Sequence, residues 1–159
     1  MGLPIIHRKR HDRNWHNARP AGVDSAAKRF SVYFRPLFAY VRSCVGEDAA
    51  EDIVVRAFCR AFERAGSGDE ERFRSVLFRS ARLLCRPALN AHSPNNGDPL
   101  DRREREVLSL VFDARLSREQ ITRIFRIRAS RVSAALISGL HKLKEQTSAP
   151  RAAARHQTA

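Results

Sequence analysis

Three arginines, Arg126, Arg128 and Arg131, lie directly before and at the start of a segment with apolar residues at helical spacing. A guanidinium presents paired donors that fit two phosphate oxygens, or O6 and N7 of guanine. A helix N-terminus adds unpaired N–H groups and partial positive charge. Arginines at such a position suit a cationic helix end pushed into a DNA major groove. Arg126, Arg128 and Arg131 are therefore the expected DNA contacts, with Ser130, Ser133 and Ala134 close to base edges. The competing reading is a solvated basic helix in an arginine-rich chain.

Placing those arginines requires three short helices within residues 100–143. Asp101 is a good N-cap, and Glu104 three residues on completes a capping box. Val107, Leu108, Val111 and Phe112 then recur with helical period. Ser117 caps the next helix, with Gln120 at the reciprocal position, and Ile121, Ile124 and Phe125 form its inner face. Residues 126–128 are too few for anything but a tight turn. Ser130 is the expected N-cap of the last helix. That helix should bury Val132, Ala135, Leu136, Gly139, Leu140 and Leu143, its small residues allowing close packing. Arg131, Ser133, Ala134, Ile137 and Ser138 then face outward. Helix, tight turn and basic second helix together read as a helix-turn-helix.

Upstream, three longer helical segments are expected. Residues 25–45 carry Phe30, Phe34, Leu37, Phe38 and Val41 on one face, with Pro36 expected to kink the helix and Gly46 to end it. Residues 48–65 start near Asp48 and turn Ile53, Val54, Ala57, Phe58, Ala61 and Phe62 inward, until Gly66-Ser67-Gly68 breaks the pattern. Residues 69–85 bury Phe73, Val76, Leu77, Ala81 and Leu84, and Pro87 is expected to terminate or bend the helix. Residues 91–99, AHSPNNGDP, form a turn-rich linker. Residues 1–24 read as a disordered basic arm carrying Trp15, and residues 147–159 as a disordered tail. The fold class is all-α, in two small helical domains: residues 25–90, and the helix-turn-helix of residues 100–146.

Composition narrows the function classes. The chain has 159 residues and a net charge of +13, which favours an anionic partner, nucleic acid by default. Its acidic residues cluster between residues 30 and 90, where charge is nearly balanced, and that favours a protein partner there. Cys44, Cys59 and Cys85 are widely spaced in apolar helical contexts, so buried reduced thiols are expected rather than a zinc site. His7, His11 and His16 sit in the polar arm without accompanying cysteines. No catalytic triad, metal-ligand set or phosphate loop is present, so neither an enzyme nor a cofactor is expected. No segment reads as transmembrane and the opening residues are too short for a signal, which points to the cytoplasm and away from a membrane.

The order of these parts resembles the sigma-70 superfamily, and most of all its small two-domain extracytoplasmic-function sigma factors. The resemblance rests on LDRREREVL, LSREQITRIF and the last helix in the second domain, and on DAAEDIV with Phe58 in the first; it runs from about residue 30 to 144. It implies that the second domain corresponds to region 4, which reads the −35 promoter element. The helix around residues 48–58 corresponds to the part of region 2 that docks on core RNA polymerase, with Asp48, Glu51 and Asp52 as polymerase contacts. The helix at residues 73–82 resembles the one used in −10 recognition and strand separation, with Arg79 and Arg82 on phosphate. The implied partners are promoter DNA and core RNA polymerase, with an anti-sigma factor as a further candidate. The chain departs from the family at several positions. Val55 and Arg56 replace a usual Gln and Glu, Val76 a Trp, and Leu83 an Asn. The basic run is replaced at residues 85–89, and Arg115 and Arg126 stand where Gly is frequent. Three readings follow: a sigma-type initiation factor, a degenerate sigma-like regulator that binds duplex without melting it, and a protein-interaction module.

Overall fold

The computed structural model describes residues 21–66, 68–91 and 98–153. Six helices follow in order: α1 (Ala21–Val45), α2 (Glu47–Ala65), α3 (Glu70–Ala91), α4 (Arg102–Phe112), α5 (Arg118–Phe125) and α6 (Ala129–Ala153). No strand occurs among the described residues. The all-α expectation, with two small helical domains, matches this architecture.

Helices α1 to α3 pack into the first unit around Leu37, Tyr40, Val41, Val54, Phe73, Leu77 and Phe78, all buried. The aromatic spacing seen in the sequence becomes a chain of ring contacts through Phe30, Phe58, Phe62 and Phe73, with centroids 4.9–6.1 Å apart. Gly46 and Gly66 bound α2, both with positive φ (84° and 63°), a conformation that costs an L side chain and leaves Gly unstrained. The Asp69 carboxylate accepts from the N–H groups of Glu71 and Arg72 and so starts α3. Arg29 is buried: it donates to the Gly66 carbonyl (2.7 Å) and to Glu70 (3.0 Å), and its guanidinium lies 4.5 Å from the Phe73 ring centre.

Several expectations need correction. Residues 21–24, assigned to the arm, are the first turn of α1. Residues 1–20, with Trp15 and the three histidines, lie outside the described residues. Pro87 does not end α3, which continues to Ala91. The lost N–H bond is offset by packing beyond it, since Leu89 is buried. Likewise α6 continues to Ala153, so residues 147–153 are helical rather than tail. Cys44 and Cys85 are buried, as expected, whereas Cys59 is exposed on the outer side of α2.

In the second unit both expected capping boxes form. Asp101 accepts from the Glu104 N–H while Glu104 accepts from the Asp101 N–H, and Ser117 and Gln120 exchange the same pair of bonds. Gly139 permits the close approach of α6 to α4, because a Cβ there would sit 2.8 Å from a Leu108 methyl carbon. Leu140 and Leu143, expected inside, are largely exposed, and so is Phe112. Leu143 still lies beside α4, where it lines an open apolar groove with Leu108 and Phe112.

The two units share one continuous apolar core, in which α3 packs on α5 and α1 on α4. Ser43 of α1 and Ser109 of α4 are hydrogen-bonded at 2.6 Å across that junction. Arg115 and Arg126, which stand where the resembled family often has Gly, both have φ of 54°. A left-handed L residue costs about 1–2 kcal/mol, while Gly loses about 0.4–1 kcal/mol through the entropy of its unfolded chain. Arg115 is exposed. Arg115→Gly is therefore expected to stabilise the fold by roughly 0.5–1 kcal/mol, read as a higher midpoint of denaturant unfolding at unchanged slope; a lower midpoint would show that the arginine side chain contributes more than its backbone costs.

Candidate nucleic-acid interface

Helix α5 ends at Phe125, and the left-handed backbone of its C-cap, Arg126, turns the chain toward α6. Ile127 donates its N–H to the Thr122 carbonyl, and Arg131 donates to the Arg128 carbonyl at 3.0 Å, closing the first turn of α6. Helix α6 thus starts at Ala129, two residues earlier than an N-cap at Ser130 implies. Ser130 lies inside the first turn and is not the N-cap. No acidic residue occupies that turn, so the positive end of the helix is not neutralised from within.

Arg126, Arg128, Ser130, Arg131 and Ala134 are all exposed, and Ser133 is half-buried, receiving a long 3.5 Å contact from Arg118. Arg126, Arg128 and Arg131 meet in one concavity of about 590 Å³, together with Ile127 and Arg103. Arg103, from the first turn of α4, was not among the expected site residues. Its only signal in the sequence is a place beside the N-cap Asp101, and that does not reveal that α4 begins next to the start of α6. Farther along the same face Ile137 is 68% exposed, a methyl-bearing group that suits a thymine methyl. Ser138, expected on this face, turns inward and donates to Glu104 at 2.6 Å.

Two carboxylates fix this surface from behind. Glu104 is 3% exposed and accepts from Lys142 (2.7 Å) and Ser138 of α6, and from the Asp101 N–H. Burial pushes its carboxyl up, but the bonds from Lys142, Ser138 and Asp101 outweigh it and hold the group below the usual carboxylate range. Glu106 is 2% exposed and accepts both Nε and Nη2 of Arg82, at 3.2 and 3.1 Å. Buried glutamates two residues apart on a helix point to opposite sides, so Glu104 holds α6 while Glu106 holds α3.

Arg79 and Arg82, the two first-domain arginines expected on phosphate, face the second domain. The Arg82 guanidinium also lies 4.2 Å from the Phe125 ring centre. Arg79 donates to the Arg123 carbonyl at 2.8 Å and, at 3.5 Å, to that of Ile124. Burial, and then the charge of Arg126, lower the Arg79 guanidinium from its ordinary value. Arg79 thus stands within electrostatic reach of the arginine concavity without lining it. Asp48, Glu51 and Asp52 are exposed at the start of α2, and none of them lines the arginine concavity. Asp52 pairs with Arg56 at 3.2 Å.

Residues 98–145 match the family model of sigma-70, region 4. The match begins just before α4 and ends within α6, so it contains the whole arginine concavity. It supports the sigma-70 superfamily over this segment and covers none of α1 to α3. No curated protein and no solved structure matches the chain significantly. A region 4 domain is a DNA-binding regulatory module, not an enzyme family. Among the described residues there is no group of three or more side chains able to hold a metal ion, and no helix is long and apolar enough to cross a membrane.

Because the folded Glu104 carboxyl lies below its unfolded value, its ion pairing stabilises the unit of α4 to α6 above the unfolded carboxyl pKa, about 4.3. That contribution disappears as pH falls through the folded value. Glu104→Gln should therefore be less stable than the parent at pH 7, with the difference shrinking on acidification below about pH 4.3. Denaturation midpoints across pH check this, and a difference that stays constant down to pH 3 would contradict it.

Proposed function

We propose that this chain is a sigma-like transcription regulator that binds promoter DNA through the N-terminal end of α6 and recruits core RNA polymerase through its first domain. The observation that carries the DNA half is the arginine concavity at an acid-free helix start, inside a segment matching sigma-70 region 4. Arg103, Arg126 and Arg128 fit phosphate and set the register of the helix. Arg131, on the first turn, fits a guanine edge, with Ser130, Ser133 and Ala134 beside it. The polymerase half rests on the resemblance of α2 and on its exposed acids Asp48, Glu51 and Asp52. Their place at a helix start also suits the helix dipole, so pull-down with core polymerase is the direct test of that role.

One observation favours a narrower reading. Arg79 and Arg82 are engaged with the second domain, and Val76 stands where the resembled family has Trp. A chain held this way binds duplex through α6 without offering α3 to a separated strand. Permanganate reactivity at a bound promoter distinguishes the two: reactive thymines favour the initiation factor, and protected ones the duplex-only regulator.

The DNA half has a direct measurement. With duplexes selected from a random pool by binding, Arg131→Ala should lose about 1–3 kcal/mol, roughly 5- to 150-fold in affinity, at one base position. Arg128→Ala should weaken all duplexes alike and lower the salt slope by about one. If both variants bind selected and random duplexes as the parent does, α6 is not the reading helix.

A further inference from the structure

Sequence reading treats Arg79 and Arg82 as phosphate ligands, yet each already has an oxygen partner within the chain. Glu106 gives Arg82 a carboxylate oxygen, bound through two donors of one guanidinium, as a phosphate would be. Arg79 meets the last carbonyls of α5, the negative end of that helix. A third pair completes the junction: Arg123 of α5 lies 2.8 Å from Glu71 of α3, an ion pair by distance and not an aligned hydrogen bond. Arg79 and Arg82 thus each meet acceptors of the second domain, and the third contact runs the other way, from an arginine of α5 to a glutamate on the same face of α3. These contacts differ in exposure. Glu106 is buried, whereas the Arg123 side chain is 60% exposed and accessible to salt and competing ions.

We propose that this junction is an autoinhibitory latch, in which Glu106 and the C-terminal end of α5 stand in for nucleic-acid phosphate and keep Arg79 and Arg82 from binding it. The inference deepens the DNA-binding reading, on which it rests for the identity of the competitor, a single-stranded phosphodiester backbone. The arginine concavity at α6 stays open while the latch is closed, because none of its residues lies in the junction. The closed chain therefore binds duplex through region 4. Opening exposes a second, α3-borne site for a separated strand.

Two variants of the full chain test this. Arg123→Glu places a carboxylate against Glu71 and alters only an exposed side chain; Glu106→Gln removes the buried charge that holds Arg82. They change net charge in opposite directions, so a shared effect cannot come from net charge. Circular dichroism confirms that each is folded. Interdomain distance is read by paired spin labels on α2 and α6, and affinity for a single-stranded oligonucleotide by fluorescence anisotropy. The latch predicts a longer or broader distance in both variants, about tenfold tighter single-strand binding, and unchanged duplex binding through Arg131. Folded variants with parental distance and single-strand affinity would overturn it. If the parent binds no duplex at all, the reading of α6 fails separately, and the distance change still decides whether the junction opens.

Discussion

A short helix with a buried carboxylate on each side organises this molecule. On α4, Glu104 faces α6 and Glu106 faces α3, and both are almost fully excluded from water. A buried carboxylate costs several kcal/mol unless paired and hydrogen-bonded, so each glutamate fixes a partner with little freedom of choice. Glu104 uses Lys142, Ser138 and the start of its own helix, which sets the angle at which α6 leaves the protein. Glu106 has Arg82, which comes from the other domain. The second domain therefore buries a charge that it compensates only when docked against the first. The apolar core crossing the junction and the Ser43–Ser109 bond work in the same direction.

The second constraint is the left-handed backbone at Arg126. A turn as short as residues 126–128 reverses the chain between α5 and α6 only if one residue takes positive φ. Gly would meet that need with less strain. Arginine meets it while adding a guanidinium to the surface where Arg103, Arg128 and Arg131 converge. Strain and charge thus coincide at one residue, an arrangement in keeping with a binding surface. Packing at the junction also brings Arg79 near Arg126, whose charge adds to burial in lowering the Arg79 guanidinium from its ordinary value.

Local signals were the legible ones. Both capping boxes, the glycine boundaries of α2 and the apolar faces of α1 to α3 follow from short-range rules, and these suffice to put the arginines at the start of α6. Long-range information was missing. Glu106 looks like a solvated acid in REREV, although it lies four residues before the buried Leu110, on a stripe that packing could cover. Arg79 and Arg82 read as free cations, because nothing local says that α5 will occupy their face. Arg103 joined the site only once α4 was folded beside α6. Pro87 misled in the other direction as a helix end: its local cost is real, but burial of Leu89 beyond it keeps α3 going to Ala91.

If one end of α6 holds DNA, the rest of the chain keeps its docked arrangement in the complex. Amide hydrogen exchange of the full chain, with and without a selected duplex, tests this most directly. The expected result is slowed exchange confined to residues 126–134 and to the start of α4 around Arg103, with α1 and α2 unchanged. A footprint centred on α1 and α2, or no footprint at saturating duplex, would contradict it.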